Sequence, residues 1–465
     1  MNILIEIVAS KKQEIRQLYQ QHDPEVLKSL TLPTLRSFEA ELSSARSQRR
    51  PFFITEFKRK SPSEDWIDRD ANLAEQIELY ARAGAGAISV LTDTPFFGGT
   101  YDDLRRAAVT LSALPEGAHR PLLLQKDFVL DPIQIYLARQ AGADLILLIA
   151  AILSAEQLEA LRQTAASLGM GALIEVHDAG ELEKVQHLNF PVLGINNRDL
   201  KTFRTALNRV NVLARAARGR YVIAESGLHH ARDFRIVRRA DGFLIGTSLM
   251  RHRAHSEELP GEQMLQTMFA PRDHRPLLKA CGIRTADLLT ASTADWIGIN
   301  FSPMSKRRIN LAVLDQASAL PANAVAVFYK NSIEEVNVIL AQYPFKTVQL
   351  YAGDMTPEQV RSIKKKVILA VSVRSEVDLK IVEDYASDVD MFILDGAAPG
   401  SGQRIGANIP GDFPYPFLLA GGIHLDNLDL IRNYQNCIGV DIASGIETDG
   451  MVDSDKIREI RETLG

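Results

Sequence analysis

Apolar residues fall along the chain in short unbroken runs, and longer amphipathic stretches separate them. In the first part these runs are Pro51 to Phe57, Ala87 to Leu91, Pro121 to Leu124, Leu145 to Ala150, Ala172 to Val176, Val192 to Ile195, Tyr221 to Ala224 and Gly242 to Ile245. Runs this short and continuous read as strands buried on both faces, and helical stretches between them make the strands parallel. One such helix is marked by Ser154 and Gln157, a capping box, followed by Leu158, Leu161 and Leu168 and a stop at Gly169. A second set follows at Pro276 to Ala280, Trp296 to Phe301, Val325 to Tyr329, Val348 to Leu350, Val367 to Val371, Met391 to Leu394, Phe417 to Leu419 and Ile438 to Ile442. Eight strand–helix units in each half predict an α/β protein of two tandem (β/α)8 TIM barrels rather than open sheets.

The remaining segments set the expected boundaries. Ile3, Ile5, Ile7, Ile15, Leu18 and Tyr19 predict a helix, followed by Pro33 and a polar helix through Arg49. This extension should cap the barrel bottom or reach over its mouth. After Met250 come the polar stretch Arg251 to Glu258, Pro260, a sealing helix around Met264 to Phe269, and a linker over 270–275. The expected domains are therefore 1–270, a barrel with an N-terminal helical extension, and 276–465. The second is compact for a barrel, so some of its βα units must be short.

Length agrees with this division, since 465 residues exceed one ordinary core. With 46% apolar and 24% charged residues the composition is that of an ordinary globular domain. A net charge of −5, with both signs interspersed, gives no footprint for nucleic acid or membrane. Cys281 and Cys437 are too few for a disulfide framework and fit a reducing cytoplasm. At the N-terminus Glu6 interrupts the apolar run and Lys11 and Lys12 follow it, the reverse of a signal peptide. No run approaches the roughly 20 apolar residues that a spanning helix needs. The expectation is a cytoplasmic protein, a monomer, whose partners are small molecules rather than nucleic acid or membrane.

The candidate chemistry gathers at the strand ends. Ala224-Glu225-Ser226-Gly227 and Gly246-Thr247-Ser248 place small residues after apolar runs, and Ala420-Gly421-Gly422 and Ala443-Ser444-Gly445 repeat the arrangement. Backbone N–H groups exposed there, at the start of a helix, form a phosphate cup, which barrels build after strands seven and eight. The ends of the first eight strands add Glu56 and Lys58, Lys126 with Asp127, Glu175, Asn196 and Arg198. These charges could form a layer of mutual ion pairs. A lysine beside carboxylates could instead donate a proton and a glutamate accept one, or Lys126 could attack a carbonyl. In the second half Cys281 ends the first strand and Asp395 the sixth. Cys281 reads either as a small buried hydrophobe or as a thiolate base, and Asp395 as a helix cap or an acid.

Six motifs, in order across residues 1 to about 270, resemble those of indole-3-glycerol phosphate synthase: Glu56-Phe-Lys58-Arg-Lys-Ser61-Pro-Ser63, Lys126-Asp-Phe128, Ile174-Glu175-Val176, Gly194-Ile-Asn196-Asn-Arg198-Asp-Leu200, Ala224-Glu225-Ser226-Gly227 and Leu244-Ile-Gly246-Thr247-Ser248. The resemblance implies closure of the indole ring of carboxyphenylamino-deoxyribulose phosphate with loss of carbon dioxide and water. It makes Lys126 the acid and Glu175 the base or an assisting carboxylate. Glu56 and Asn196 orient hydroxyls and amine, and Lys58 and Ser61 lie near the phosphate and reacting centre. Ser226, Gly227, Gly246 and Thr247 hold phosphate, and Arg198 and Glu225 form an ion-pair frame. Glu64 stands where many relatives carry Lys or Gly.

In the second half Lys279-Ala-Cys281-Gly-Ile283, Ser305-Lys-Arg307, Val348-Gln-Leu350, Phe392-Ile-Leu-Asp395-Gly396, Ala420-Gly-Gly422 and Gly439-Val-Asp441-Ile-Ala-Ser444-Gly445 resemble phosphoribosylanthranilate isomerase. That resemblance implies an Amadori rearrangement in which Asp395 protonates the furanose oxygen and Cys281 removes the C2 proton. Arg307 faces the anthranilate carboxylate, and Gly422, Ser444 and Gly445 bind phosphate. Neither resemblance implies a metal or an organic cofactor. The sequence departs from this family at Tyr351-Ala352-Gly353, where relatives usually show His-Gly, at Leu369, where Lys is common, and at Gly396, where Thr is common. An alternative reading keeps only the synthase, with a non-catalytic phosphate-binding or structural C-terminal barrel. A pair of sugar-phosphate isomerases of histidine biosynthesis would share the cup but place Asp where Lys126 and Cys281 stand.

Overall fold

A computed structural model describes residues 3–62, 65–199, 202, 204–217, 219–255, 275–285, 293–316, 320–396 and 408–465. The expected helix at Met264 to Phe269 and the linker up to His274 lie outside the described residues, as do Ser63, Glu64 and Leu200 of the quoted motifs.

All sixteen expected strands are present and close into two parallel barrels. The first consists of β1 (Phe52–Phe57), β2 (Ala87–Leu91), β3 (Leu122–Lys126), β4 (Leu145–Ile149), β5 (Gly171–Val176), β6 (Val192–Asn196), β7 (Tyr221–Glu225) and β8 (Gly242–Ile245). Its closure is visible at Ile54, which pairs with Ala87 of β2 on one side and Leu244 of β8 on the other. The second comprises β9 (Leu277–Cys281), β10 (Trp296–Asn300), β11 (Ala324–Val327), β12 (Thr347–Tyr351), β13 (Lys366–Ser372), β14 (Met391–Asp395), β15 (Phe417–Ala420) and β16 (Cys437–Ile442). By internal contacts the chain divides into residues 1–203, 213–231 and 239–272, and residues 204–212, 232–238 and 273–465.

The alternation of side chains along each strand positions the first site. Leu124, Leu147, Leu173, Val192, Ile223 and Leu244 are buried in one cluster in the lower lumen. One or two steps further along the same faces stand Glu56, Lys126, Glu175, Asn196 and Glu225, so a dry core ends in a charged rim. Three helices precede β1: α1 (Ile3–Gln21), α2 (Pro24–Leu30) and α3 (Phe38–Ser47). Phe38 and Leu42 of α3 join the lumen cluster, with the Phe38 ring centroid 5.8 Å from that of Phe52, so α3 closes the bottom. Ile3, Leu4 and Ile7 of α1 instead line the cavity at the mouth. Both placements expected for the extension occur, each by a different helix.

The predicted capping box forms. Ser154 caps the helix Ala155–Ser167 with Gln157 returning its bond, Leu158 and Leu161 are buried, and Gly169 closes it at φ +68°. In the second barrel the crossovers are short, as its length required. Pro357–Ser362 spans six residues, and between β13 and β14 a four-residue helix, Val382–Tyr385, sits between 3-10 turns Glu376–Ile381 and Ala386–Asp388. A final helix, Ser454–Leu464, covers the sheet with Ile457, Ile460 and Leu464. Among the described residues no helix is long and apolar enough to cross a membrane.

Candidate active sites

The first mouth encloses a cavity of about 190 Å³, room for an organic ligand rather than only trapped water. Its lining brings together every residue of the first half singled out from the sequence: Glu56, Lys58, Ser61, Lys126, Glu175, Asn196, Arg198, Glu225, Ser226, Gly227, Gly246 and Thr247. Lys126 stands at its centre. Its Nζ lies 2.9 Å from Glu225 Oε2 and 3.5 Å from Glu175 Oε2, while Lys58 Nζ reaches Glu56 Oε1 at 2.7 Å. Glycines make room for these carboxylates. A Cβ at Gly194 would come within 2.4 Å of Glu225 Oε1, and one at Gly246 within 2.4 Å of Glu56 Oε1.

Burial opposes the charge on Lys126, but Glu225, Glu175 and Glu56 outweigh it and hold the ammonium above the ordinary lysine range. The magnitudes agree. Each close carboxylate contributes about 4 kcal/mol at an effective dielectric of about 20, and two exceed the several kcal/mol needed to desolvate one ion. The carboxyls, by contrast, are driven apart. Burial would raise Glu175, yet Lys126 and His177 hold it well below the usual range. Burial pushes the Glu225 carboxyl up, Lys126 opposes this, and the adjacent Glu175 adds to the rise. Two carboxyls around one lysine thus hold protons differently, the condition for separate acid and base duties.

Opposite this cluster is the cup. Ser226 and Gly227 after β7 have φ of +66° and +81°, an arrangement that turns successive N–H groups toward one point. Thr247 begins the helix Thr247–His255, and the Ser248 hydroxyl donates to Leu228 O at 3.1 Å, tying the two cup loops together. Glu225 is buried and in an ion pair with Lys126, beneath the cup, its carboxylate filling the space that Gly194 leaves.

In the second mouth, parallel register sets Lys279 of β9 beside Asp441 of β16, and the two form an ion pair of 2.8 Å with Lys279 fully buried. Cys281 lies two residues on, facing the same way, in space kept by Gly298, where a Cβ would stand 2.8 Å from Sγ and 3.1 Å from Lys279 Nζ. Burial pushes the Cys281 thiol up and Lys279 opposes it. Asp395 ends β14, and Tyr351 ends β12 with its ring 4.8 Å from that of Tyr329. Burial drives the Tyr351 phenol upward, and Cys281, Asp441 and Asp395 lie near enough to add to the rise. Arg307 is engaged: its Nε and a terminal nitrogen donate to the two oxygens of Glu447 at 2.6 and 2.8 Å. The second cup is built like the first. Gly421 and Gly422 have φ of +90° and +69°, and a Cβ at Gly445 would strike Ile423 O at 2.1 Å, so the loop carrying Ser444 closes on the loop after β15.

Sequence reasoning missed several partners. His177 was visible as Glu175-x-His177 followed four residues later by Glu181. Lys279 and Asp441 were quoted within motifs but given no role, since their meeting depends on register. Lys11 and Glu447 gave no signal, because Asp93 and Asp127 for the one and Arg307 for the other are distant in sequence.

A closed (β/α)8 barrel with a charged mouth facing a two-loop anion cup defines, twice over, the class of phosphate-binding barrel enzymes. Residues 4–259 match the family model for indole-3-glycerol phosphate synthase, and residues 278–463 that for N-(5'-phosphoribosyl)anthranilate isomerase. The chain belongs to the indole-3-glycerol phosphate synthase family and carries a phosphoribosylanthranilate isomerase domain behind it. It is 32% identical to the tryptophan biosynthesis protein TrpCF of Vibrio parahaemolyticus, over 98% of this chain and 92% of that one. It is 41% identical to an indole-3-glycerol phosphate synthase of Staphylococcus aureus over 57% of this chain and 98% of that one. A multifunctional tryptophan biosynthesis protein of Schizosaccharomyces pombe is 32% identical over 88% of this chain, which spans 59% of that longer protein.

Proposed function

We propose that the chain is a bifunctional enzyme of tryptophan biosynthesis that catalyses two consecutive steps. The second barrel isomerises phosphoribosylanthranilate to carboxyphenylamino-deoxyribulose phosphate, and the first converts that product to indole-3-glycerol phosphate. The observation that carries the reading is Lys126, a half-buried ammonium between two carboxyls of unequal acidity, facing an anion cup across one cavity.

In the first barrel the substrate phosphate sits on the N–H groups of Ser226, Gly227, Gly246 and Thr247, and its aromatic ring lies against Ile3, Leu4, Ile7 and Phe128. Lys126 gives a proton to the ketone oxygen as the ring carbon attacks; carbon dioxide leaves, and the hydroxyl takes a second proton from Lys126, reprotonated from solvent, and departs as water. Glu175 takes the proton lost when the indole becomes aromatic, and Glu225 balances Lys126 through the cycle. Glu56, Lys58 and Asn196 orient the chain of hydroxyls, while Arg198 and Ser61 border the phosphate. In the second barrel Asp395 protonates the furanose oxygen to open the ring. Cys281 then removes the C2 proton to give the enol form, which relaxes to the ketone. Arg307, held on one edge of its planar guanidinium by Glu447, receives the anthranilate carboxylate, and Gly422, Ser444 and Gly445 hold phosphate. The domains are 1–270 and 276–465, and the enzyme works as a cytoplasmic monomer.

The deciding experiment supplies purified protein with phosphoribosylanthranilate and follows both loss of its fluorescence and appearance of indole-glycerol phosphate. Conversion through to the indole product is expected. Consumption of carboxyphenylamino-deoxyribulose phosphate alone would reduce the reading to the synthase.

A further inference from the structure

His177 is buried beside the first site, and the roles assigned above leave it unused. It follows Glu175 by two residues, directly after the end of β5 at Val176, and its ring lies beside the Glu175 carboxyl. Its Nε2 lies 3.1 Å from Glu175 Oε1 and its Nδ1 3.1 Å from Glu181 Oε2, with the side chain only 6% exposed. Glu181 Oε2 also accepts the His177 backbone N–H at 2.9 Å, which marks that carboxylate as an acceptor. A neutral imidazole carries one N–H and one lone pair. In either tautomer an unprotonated ring nitrogen would lie 3.1 Å from a carboxylate oxygen, Nε2 meeting Glu175 at ion-pair distance without hydrogen-bond geometry. Only the imidazolium presents positive charge to both sides, and although burial disfavours that charge, the two carboxylates outweigh it and raise the ring to about 10.

Glu175 is faced by Lys126 from β3, by Glu225 from β7 and by Glu56 from β1. Lys126 is shared unequally, nearer to Glu225 than to Glu175. His177 therefore supplies the closer positive partner of Glu175. Asp178, next in the chain, is turned away to cap the helix Ala179–Val185.

We propose that His177, held as an imidazolium by Glu181, is the positioning residue that keeps Glu175 a carboxylate and leaves Lys126 directed to Glu225. This deepens the synthase reading of the first barrel and rests on it.

The test compares the full chain with His177→Gln and Glu181→Gln, supplying carboxyphenylamino-deoxyribulose phosphate and recording the pH profile of indole-glycerol phosphate formation. Removing an adjacent positive charge raises a carboxyl pKa by about 1–3 units. In His177→Gln the acid limb of kcat should move up by about one unit or more, with kcat reduced and KM held; Glu181→Gln should move it less, in the same direction. An acid limb that stays in place in His177→Gln, while isomerisation by the same chain shows it folded, overturns the proposal. Should His177→Gln lose isomerisation too, Glu181→Gln and the imidazole nitrogen shifts of the unaltered chain decide. A ring protonated beyond about pH 9 supports the assignment, and a neutral ring near pH 8 overturns it. An unaltered chain that forms no indole product at any pH would instead remove the synthase reading, and the nitrogen shifts would still decide the charge of the ring.

Discussion

Single side chains divide the labour between the two mouths, and substitutions should separate them. Lys126→Met removes the proposed proton donor and the cation that pairs with Glu175 and Glu225 in the first mouth. Synthase activity should fall by about 10²–10⁴-fold, the range of a positioned acid, with the initial rate of isomerisation, before its product accumulates, intact. Equal loss of both activities would mean that one site serves both. Cys281→Ala should do the converse, and a fully active variant would remove the thiolate base. Gly194 offers a subtler test, because a methyl there would meet Glu225 Oε1 at 2.4 Å. Gly194→Ala should cost about 1–3 kcal/mol in thermal unfolding and displace Glu225 from Lys126, lowering synthase kcat; unchanged kcat would show the notch to be slack. His177 makes a stability prediction as well. Its folded pKa, raised to about 10 from an ordinary value near 6.5, makes its contribution complete below about 6.5 and lost as pH rises through about 10. Between those values the urea midpoint of the unaltered chain should fall more steeply with pH than that of His177→Gln.

Secondary-structure elements explain why the strands were legible and some partners were not. A parallel strand buried on both faces is a continuous apolar run, so all sixteen could be read without any contact information. Their last residues then reached one rim by geometry alone, which is why Lys126, Glu175 and Asn196 were found. Helix α1 was different. Its apolar residues announced a helix but not which end of the barrel it would cover, since that is settled by Lys11, a polar residue. Lys11 is buried, with Nζ 2.8 Å from Asp127, 3.3 Å from Asp93 and 2.7 Å from Glu14. Asp127 adjoins Lys126, so this cluster fastens the helix to the strand that carries the proposed acid. Lys11→Met would strand three carboxylates without their cation and should destabilise the first barrel by about 3–5 kcal/mol. It should also raise the synthase KM, since Ile3, Leu4 and Ile7 would lose their place over the cavity; calorimetry and steady-state kinetics check both. Likewise Arg307 was legible as a guanidinium near the second mouth, but its fork-to-fork partner Glu447 lies 140 residues away and emerges only when β16 returns beside β9.

The whole molecule is an economy of repetition: one architecture, used twice, with different chemistry at each rim. The proposed monomer predicts a molar mass near 51.5 kDa by light scattering, and a doubled mass would replace it. Repetition also has a kinetic side. The cup at Ser226–Gly227 and Thr247 and the cup at Gly422 and Ser444–Gly445 are the same kind of backbone cradle. On the proposed reading, the intermediate leaves one cradle still bearing the handle that the other must grasp. It is therefore a competitor for the site that made it. Flux through the pair depends on the second step draining the intermediate quickly, so slowing the synthase alone should throttle the isomerase by product inhibition, although no residue of the isomerase has changed.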